Sequence, residues 1–256
     1  MTPPLPQAFA HRDDEHPTPL WDALAAGFRH VEMDVWHLFG RLLVAHDPQD
    51  LRPGRTFERL YLAPLADAYE NGRLAHDDPV WLYVDVKTPA RGAHRAAERL
   101  AGRYERWIAR PGHGNDAAPI RLVLTGNRPP LDALMASSAG ACHYDGRLPD
   151  LERTRDARWM PTVSADWSRF SRWRGEGPIP DADRARLRDA VAATRAAGQR
   201  LRFWATPERP GTARERVWTT LLEEGVDLIN TDDLAGLAAF LRDRQRGAPT
   251  SSSSSA

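Results

Sequence analysis

Two histidines, three carboxylates and one lysine stand in this chain at spacings that could do chemistry. Glu32 and Asp34 are two residues apart, so in an extended segment they share a face. Asp85 and Lys87 repeat that spacing farther along, and His11 and the pair His46-Asp47 close short apolar runs. Three carboxylates that converge in a dry site repel one another unless a cation sits among them. Oxygen-only ligation of this kind suits one hard divalent ion, Mg2+ first and Ca2+ second, rather than zinc. Histidines beside such an ion could act as general base and general acid at neutral pH. Lys87 would then set a compact positive charge against a non-bridging phosphate oxygen. Taken singly, each feature has a plainer reading. Inward charges can be ion-paired layers of a barrel interior, and a strand-end histidine can be structural. Their convergence favours a site.

Lys87 is the only lysine among 35 basic residues. Such a skew reflects a coding bias towards arginine, so this lysine either survived by chance or is required as an ammonium, which a guanidinium does not replace.

To converge, these side chains need strands that end together. Apolar runs mark strand candidates at Gln7–His11, Val31–Trp36, Leu42–His46, Val80–Lys87, Ile120–Thr125, Ala141–Asp145, Met160–Ser164, Leu201–Ala205 and Val226–Asn230. Several are near-continuous, as in strands buried on both faces of a parallel sheet. Helical patterns lie between them at Pro19–Phe28, Phe57–Glu70, Ala93–Ile108, Asp183–Ala197, Arg214–Glu224 and Leu234–Arg242, two of them stopping at Gly198 and Gly225. The rhythm predicts an α/β fold, a single (β/α)8 TIM barrel whose C-terminal strand ends would carry the reactive residues. One departure is expected: the Gly-containing link 37–41 is too short for a crossover helix, so the second strand returns as a hairpin. No Gly-x-Gly-x-x-Gly turn follows the first strand, which weighs against a doubly wound nucleotide-binding sheet. The expected organisation is a flexible lead-in over 1–6, a barrel over 7–245 and a disordered Ser-rich tail over 246–256.

Composition narrows the function classes. Formal net charge is zero and the pI is near 7.2, so there is no global footprint for nucleic acid or an anionic membrane. No apolar run approaches a bilayer span. Cys142 is the only cysteine, which excludes an internal disulfide and a cysteine-cluster metal site. No secretory signal precedes the Pro-rich start, so a soluble monomer is expected, exported if a leader has been trimmed and cytoplasmic otherwise.

The motif order resembles the PLC-like phosphodiesterase superfamily, which includes glycerophosphodiester phosphodiesterases, phosphatidylinositol-specific phospholipases C and spider-venom sphingomyelinases D. The resembling segments are Ala10-His11-Arg12-Asp13, Val31-Glu32-Met33-Asp34-Val35 and Val44-Ala45-His46-Asp47. The altered-inheritance-of-mitochondria branch and its bacterial relatives are the nearest likeness. That likeness adds Tyr83–Thr88, Thr125–Pro129, Arg202–Pro207 and Gly225–Leu234, so it runs from about residue 7 to about residue 240. The resemblance implies a TIM barrel, a divalent metal held by Glu32, Asp34 and Asp85, and His11 with His46 as the acid/base pair. It also implies that Lys87 and Trp204 line the phosphate and head-group site, with Asp47 orienting His46. Some positions depart from the glycerophosphodiesterase pattern. Asp13 stands where a glycine is usual, Asp85 replaces a glutamate, and the stretch from His46 to Asp85 has no room for an insertion domain. These departures favour the mitochondrial-inheritance and sphingomyelinase-like side. A cysteine-bridged loop like that of the venom enzymes is excluded by the single Cys142.

Other polar positions are peripheral. Asn127 is a candidate substrate contact, with a plain turn before Pro129 as its equal alternative. Asp145, Asp166 and His16 are lesser candidates, and Asp232-Asp233 is expected to begin the final helix. The Trp-rich stretch around Trp159, Trp167 and Trp173 either covers the mouth of the site or anchors a long loop in the core. The expected activity is a metal-dependent phosphoric diester hydrolase, or a lyase that cyclises the phosphate, acting on a glycerophosphodiester or a phospholipid head group. The alternative is a catalytically silent barrel that binds a phosphorylated ligand or a protein partner. A metal-dependent sugar isomerase is a third reading, and it has no need of Lys87.

Overall fold

The computed structural model describes residues 2–113, 117–152 and 156–247. Among them are β1 (Ala8–Ala10), β2 (His30–Leu38), β3 (Arg41–Val44), β4 (Val80–Val86), β5 (Ile120–Gly126), β6 (Cys142–Gly146), β7 (Thr162–Asp166), β8 (Arg200–Trp204) and β9 (Leu228–Thr231). All nine expected strands are present. Eight of them run parallel in the order β1-β2-β4-β5-β6-β7-β8-β9, and β9 pairs back onto β1, which closes the barrel. β3 is antiparallel and pairs with β2. The β2–β3 link is the hairpin expected from its length. Phe39 and Gly40 form a two-residue turn with φ of 50° and 75°, the double positive φ of a type I′ turn.

The helices are α1 (Trp21–Ala26), α2 (Ala63–Glu70), α3 (Ala90–Arg103), α4 (Leu131–Met135), α5 (Trp167–Phe170), α6 (Asp181–Ala196), α7 (Thr212–Glu223) and α8 (Leu234–Gly247). A π-helical turn, Glu58–Leu62, leads into α2. The short α4 and α5 escape the sequence pattern, because a helix of one turn has no periodicity to read.

Strand alternation divides the apolar residues into two cores. Outward positions such as Ala8, Val31, Met33, Val84, Leu122, Leu201 and Ile229 pack against the helices in one continuous cluster. Inward, Phe9, Tyr83, Val123 and Leu228 form a small separate cluster that plugs the barrel. Above and below that plug the inward positions are mostly polar, Trp81 and Trp204 being the large exceptions, which is why strands that read as apolar runs still deliver charged residues at their ends. Trp159, Trp167 and Trp173 are buried, and the Trp167 indole donates to the Trp173 carbonyl at 3.1 Å. Core anchoring therefore accounts for the Trp-rich stretch.

The expected boundaries shift at both ends. Leu5 is buried and its amide donates to the Gly27 carbonyl at 2.8 Å, so ordered packing reaches into the expected flexible lead-in. α8 carries the fold through Gly247, past the expected limit at 245. The rest of the Ser-rich tail, 248–256, lies outside the described residues, as does Met1.

Candidate active site

Residues on or just after seven of the eight parallel strands, all but β7, meet at the C-terminal mouth of the barrel, with His46 added from the end of β3. Strand register does most of the positioning. Asp34 on β2 and Asp85 on β4 are direct partners, and Thr125 on β5 continues the row. Glu32, one inward position deeper on β2, completes the acidic set. One oxygen from each of Glu32, Asp34 and Asp85 can be chosen so that all three lie within 4.8 Å of one another. The donors are all hard oxygens, and Glu32 and Asp34 are buried. Gly126 gives Asp85 its room: a Cβ there would come within 1.8 Å of Asp85 Oδ1. The set therefore fits a small divalent cation in donor type and convergence.

The electrostatics match that reading. Burial, then the neighbouring Glu32 charge, pushes the Asp34 carboxyl up to about 6, with Lys87 pulling the other way. Burial also raises Glu32, against the opposing pull of His11 and Arg202. Lys87 Nζ lies 3.0 Å from Asp34 Oδ1 and 2.9 Å from Asp85 Oδ2. Burial alone would lower the Lys87 pKa, but these two carboxylates outweigh it and raise it. The lone lysine is thus wedged between two of the three clustered acids.

Both histidines are oriented by carboxylates. The His11 amide continues the β1–β9 pairing by donating to the Thr231 carbonyl at 3.0 Å. Its Nδ1 donates to Asp232 Oδ1 at 2.6 Å, and Nε2 lies 3.5 Å from Glu32 Oε2. Burial by itself would depress the His11 pKa. Glu32 and then Asp232 override it and hold the pKa above the ordinary histidine value. His46 follows the hairpin, where the Ala45 amide donates to the Asp34 carbonyl at 3.2 Å and the Trp36 indole donates to the Ala45 carbonyl at 2.9 Å. His46 Nδ1 donates to Asp34 Oδ2 at 2.5 Å, and Nε2 accepts from the Arg12 guanidinium at 3.3 Å.

Asp47, expected to orient His46, does not. It is exposed, and both ring nitrogens of His46 are engaged by Asp34 and Arg12. The next residue along an extended chain points away from its neighbour's contacts. Asn127 stands apart from the residues gathered around the acids. It is exposed and outside the cavity lining, and its amide donates to the Lys87 carbonyl at 3.2 Å, bracing the lysine's backbone. Trp204 is half-buried and lines the cavity. His16 does not line it, and Asp166 caps α5 through the Ser168 amide at 2.8 Å. Asp145 is fully buried and accepts from Ser164, Thr125 and Arg147 at 2.6, 2.8 and 2.7 Å. Burial would raise Asp145, but Arg147 and Arg202 hold it below the usual carboxylate range.

The cavity over these residues has a volume of about 520 Å3. Five charged residues line it that sequence reasoning did not assign: Arg12, Arg147, Arg202, Glu208 and Asp232. Parity could have found two of them, since Arg202 stands two before Trp204 and Asp232 two after Asn230 on inward-facing alternation. Asp232 and Asp233 divide the work expected of them as a pair. Asp233 caps α8 by accepting from the Gly236 amide at 2.9 Å, whereas Asp232 turns to His11. Arg12 and Glu208 lie on loops, and Arg12 adopts a left-handed backbone (φ 48°) that no sequence signal announces.

A closed parallel barrel with an acid- and histidine-lined C-terminal mouth is the class of molecule that these features define. The crystal structure of a glycerophosphoryl diester phosphodiesterase from Parabacteroides distasonis shares that barrel, with a TM-score of 0.57 over 95% of this chain and 88% of the other at 11% identity. At the sequence level, a family profile described as the AIM6-like phosphodiesterase domain matches residues 4–78, the stretch that carries His11, Glu32, Asp34 and His46. The altered inheritance of mitochondria protein 6 homolog of Arthroderma benhamiae is 25% identical over 238 residues, covering 83% of this chain and 74% of that protein. Altered inheritance of mitochondria protein 6 of Eremothecium gossypii is 25% identical over a 292-residue alignment, covering 93% and 70%. The resemblance read from motif order is thus met both in sequence and in fold. Among the described residues, no helix is long and apolar enough to cross a membrane.

Proposed function

We propose that the protein is a divalent-cation-dependent phosphoric diester hydrolase. The family match and the shared barrel support a phosphodiesterase. The observation that carries the finer reading is the pairing of each histidine with its own carboxylate at the rim of the three-acid cluster.

Glu32, Asp34 and Asp85 would hold the cation, which when bound supplies Lewis-acid neutralisation of charge on the phosphoryl group. Lys87 donates to a non-bridging phosphoryl oxygen and meets the charge that builds there. His46 presents Nε2 as an acceptor, held in that tautomer by Asp34, and takes the proton of the attacking oxygen once Arg12 swings to the phosphate. His11, whose pKa Glu32 and Asp232 raise against the effect of burial, gives its proton to the leaving oxygen. One P–O bond forms and one breaks, yielding an alcohol and a phosphomonoester when water attacks. A neighbouring substrate hydroxyl would give a cyclic phosphate instead. Trp204 and the lining arginines supply the wall for a head group.

Phosphorus NMR on glycerophosphodiester, lysophospholipid, sphingomyelin and inositol-lipid substrates, with Mg2+ or Ca2+, tests this reading. Turnover that is lost on chelation, in Glu32→Ala and in His11→Ala is the expected result. Turnover that survives chelation removes the cation. No turnover of any of the four, with phosphate binding untouched by His11→Ala, would leave a silent phosphate-binding barrel.

A further inference from the structure

The barrel has a second cavity at its other end, of about 720 Å3, where the strands begin. Gln7, His30, Trp81 and Arg200 line it. The Arg200 guanidinium lies 4.9 Å from the Trp81 ring centroid and donates to His30 Nε2 at 3.2 Å. His30 is 4% exposed, and burial, reinforced by Arg200 and Arg202, holds its pKa well below the ordinary histidine value. Its ring is therefore neutral and offers Nε2 as an acceptor. The other arginines bordering the cavity are occupied. Arg29 is bonded to Asp78 at 2.7–2.8 Å, and Arg244 is paired with Glu223 at 3.7 Å. Asp227, the remaining carboxylate on the wall, accepts from the Leu201 amide at 2.8 Å. Among the described residues, Arg200 has no carboxylate partner.

A guanidinium stacked on an indole and tied through one nitrogen keeps the rest of its planar fork for a ligand. That fork matches two oxygens of a phosphate or carboxylate. Leu222, Val226 and Leu241 supply an apolar wall on the same cavity. We propose that this N-terminal cavity is a binding site for a small organic oxyanion, its charged head on the Arg200 fork over Trp81 and its apolar body against the Leu222–Leu241 wall. It is a site of binding and not of reaction, because barrel chemistry is built at the opposite end. The proposal stands apart from the phosphodiesterase reading, and none of the groups that would touch its ligand belongs to that site.

The test is a titration of the metal-free full chain with benzoate, and separately with inorganic phosphate. It is read from the Trp81 indole N–H and Arg200 Nε–H resonances by NMR. Benzoate is expected to give a saturable shift at both, with phosphate, lacking the apolar body, binding more weakly. Arg200→Gln should weaken benzoate by about tenfold or more, Arg200→Lys by less, and Lys87→Ala not at all. Circular dichroism and melting check that each variant folds, and Arg200→Lys reports if Arg200→Gln does not. No saturable shift with either probe, equal affinity in the Arg200 variants, or loss of binding in Lys87→Ala would each overturn the site.

Discussion

Lys87 holds its place by being a point charge. Its Nζ contacts Asp34 and Asp85 at about equal distance, 3.0 and 2.9 Å. A guanidinium is planar, broader and fixed in direction, so it cannot take that wedge and still turn to a phosphoryl oxygen. Lys87→Arg is expected to fold with an unchanged circular dichroism spectrum and to lose turnover on the order of 100-fold, the scale of a misplaced catalytic contact. Near wild-type turnover would return the lone lysine to a coding accident. The neighbours Asp232 and Asp233 allow a sharper contrast. Asp232→Asn keeps the size but weakens the hold on His11, so kcat should fall about 10–100-fold with little change in KM or melting. Asp233→Ala removes the α8 cap and the 2.8 Å contact with Arg214. It should lower stability by about 1 kcal/mol while leaving kcat alone. If the two variants behave alike, the division of labour between them is wrong.

At the scale of elements, one strand end shapes another. Gly126 closes β5 at φ 64°, and a Cβ there would meet Asp85 Oδ1 at 1.8 Å and the Val86 carbonyl at 2.8 Å. Gly126→Ala should displace Asp85 and weaken divalent-cation affinity by about tenfold or more in calorimetric titration. A backbone cost of about 1–2 kcal/mol accompanies it. Wild-type cation affinity in this variant would argue that Asp85 is no ligand. The strands themselves were legible because runs such as Val80–Val86 and Ile120–Gly126 are apolar and bounded, and the hairpin because its link is too short for a helix. Glu32, Asp34, Asp85 and Lys87 were legible because parity puts them on one face. What parity does not carry is who holds whom across strands. Asp34 reaching His46 and Asp232 reaching His11 depend on closure of the barrel, which brings residues 221 positions apart within 2.6 Å. Arg12 was hidden because its placement comes from a left-handed backbone in a loop.

For the whole molecule, burying so many acids leaves a signature in stability. Burial is the largest cause in pushing Asp13 up to about 7 and Asp14 and Asp34 each to about 6. Asp13 accepts from the Leu20 amide and the Tyr61 hydroxyl, yet its Oδ1 has no partner. An unfolded aspartate ionises near pH 4. Between about pH 4 and pH 7 the folded chain therefore retains protons that the unfolded chain has released, and stability falls as pH rises. Asp145 and Asp232 have lowered values and act with the opposite sign in the acid range, as pH falls through their folded pKa. Buried His30, held well below its ordinary value, also opposes the fall up to about pH 6.5, but it is one group against the raised Asp13, Asp14 and Asp34. His11, held above its ordinary value, adds to the fall above pH 6. Urea unfolding in EDTA should thus give a lower midpoint at pH 8 than at pH 5. A divalent cation held as proposed by Glu32, Asp34 and Asp85 would bind the ionised acids of the folded state, so Mg2+ at about 100 times its Kd should recover about 2.7 kcal/mol at pH 8. Asp13 lies outside the three-acid set, so its share of the loss persists in Mg2+ and is removed only by Asp13→Asn. A metal-free protein equally stable at both pH values would contradict the burial of these acids as ionisable groups. No gain from Mg2+ at pH 8 would remove the cation from the site.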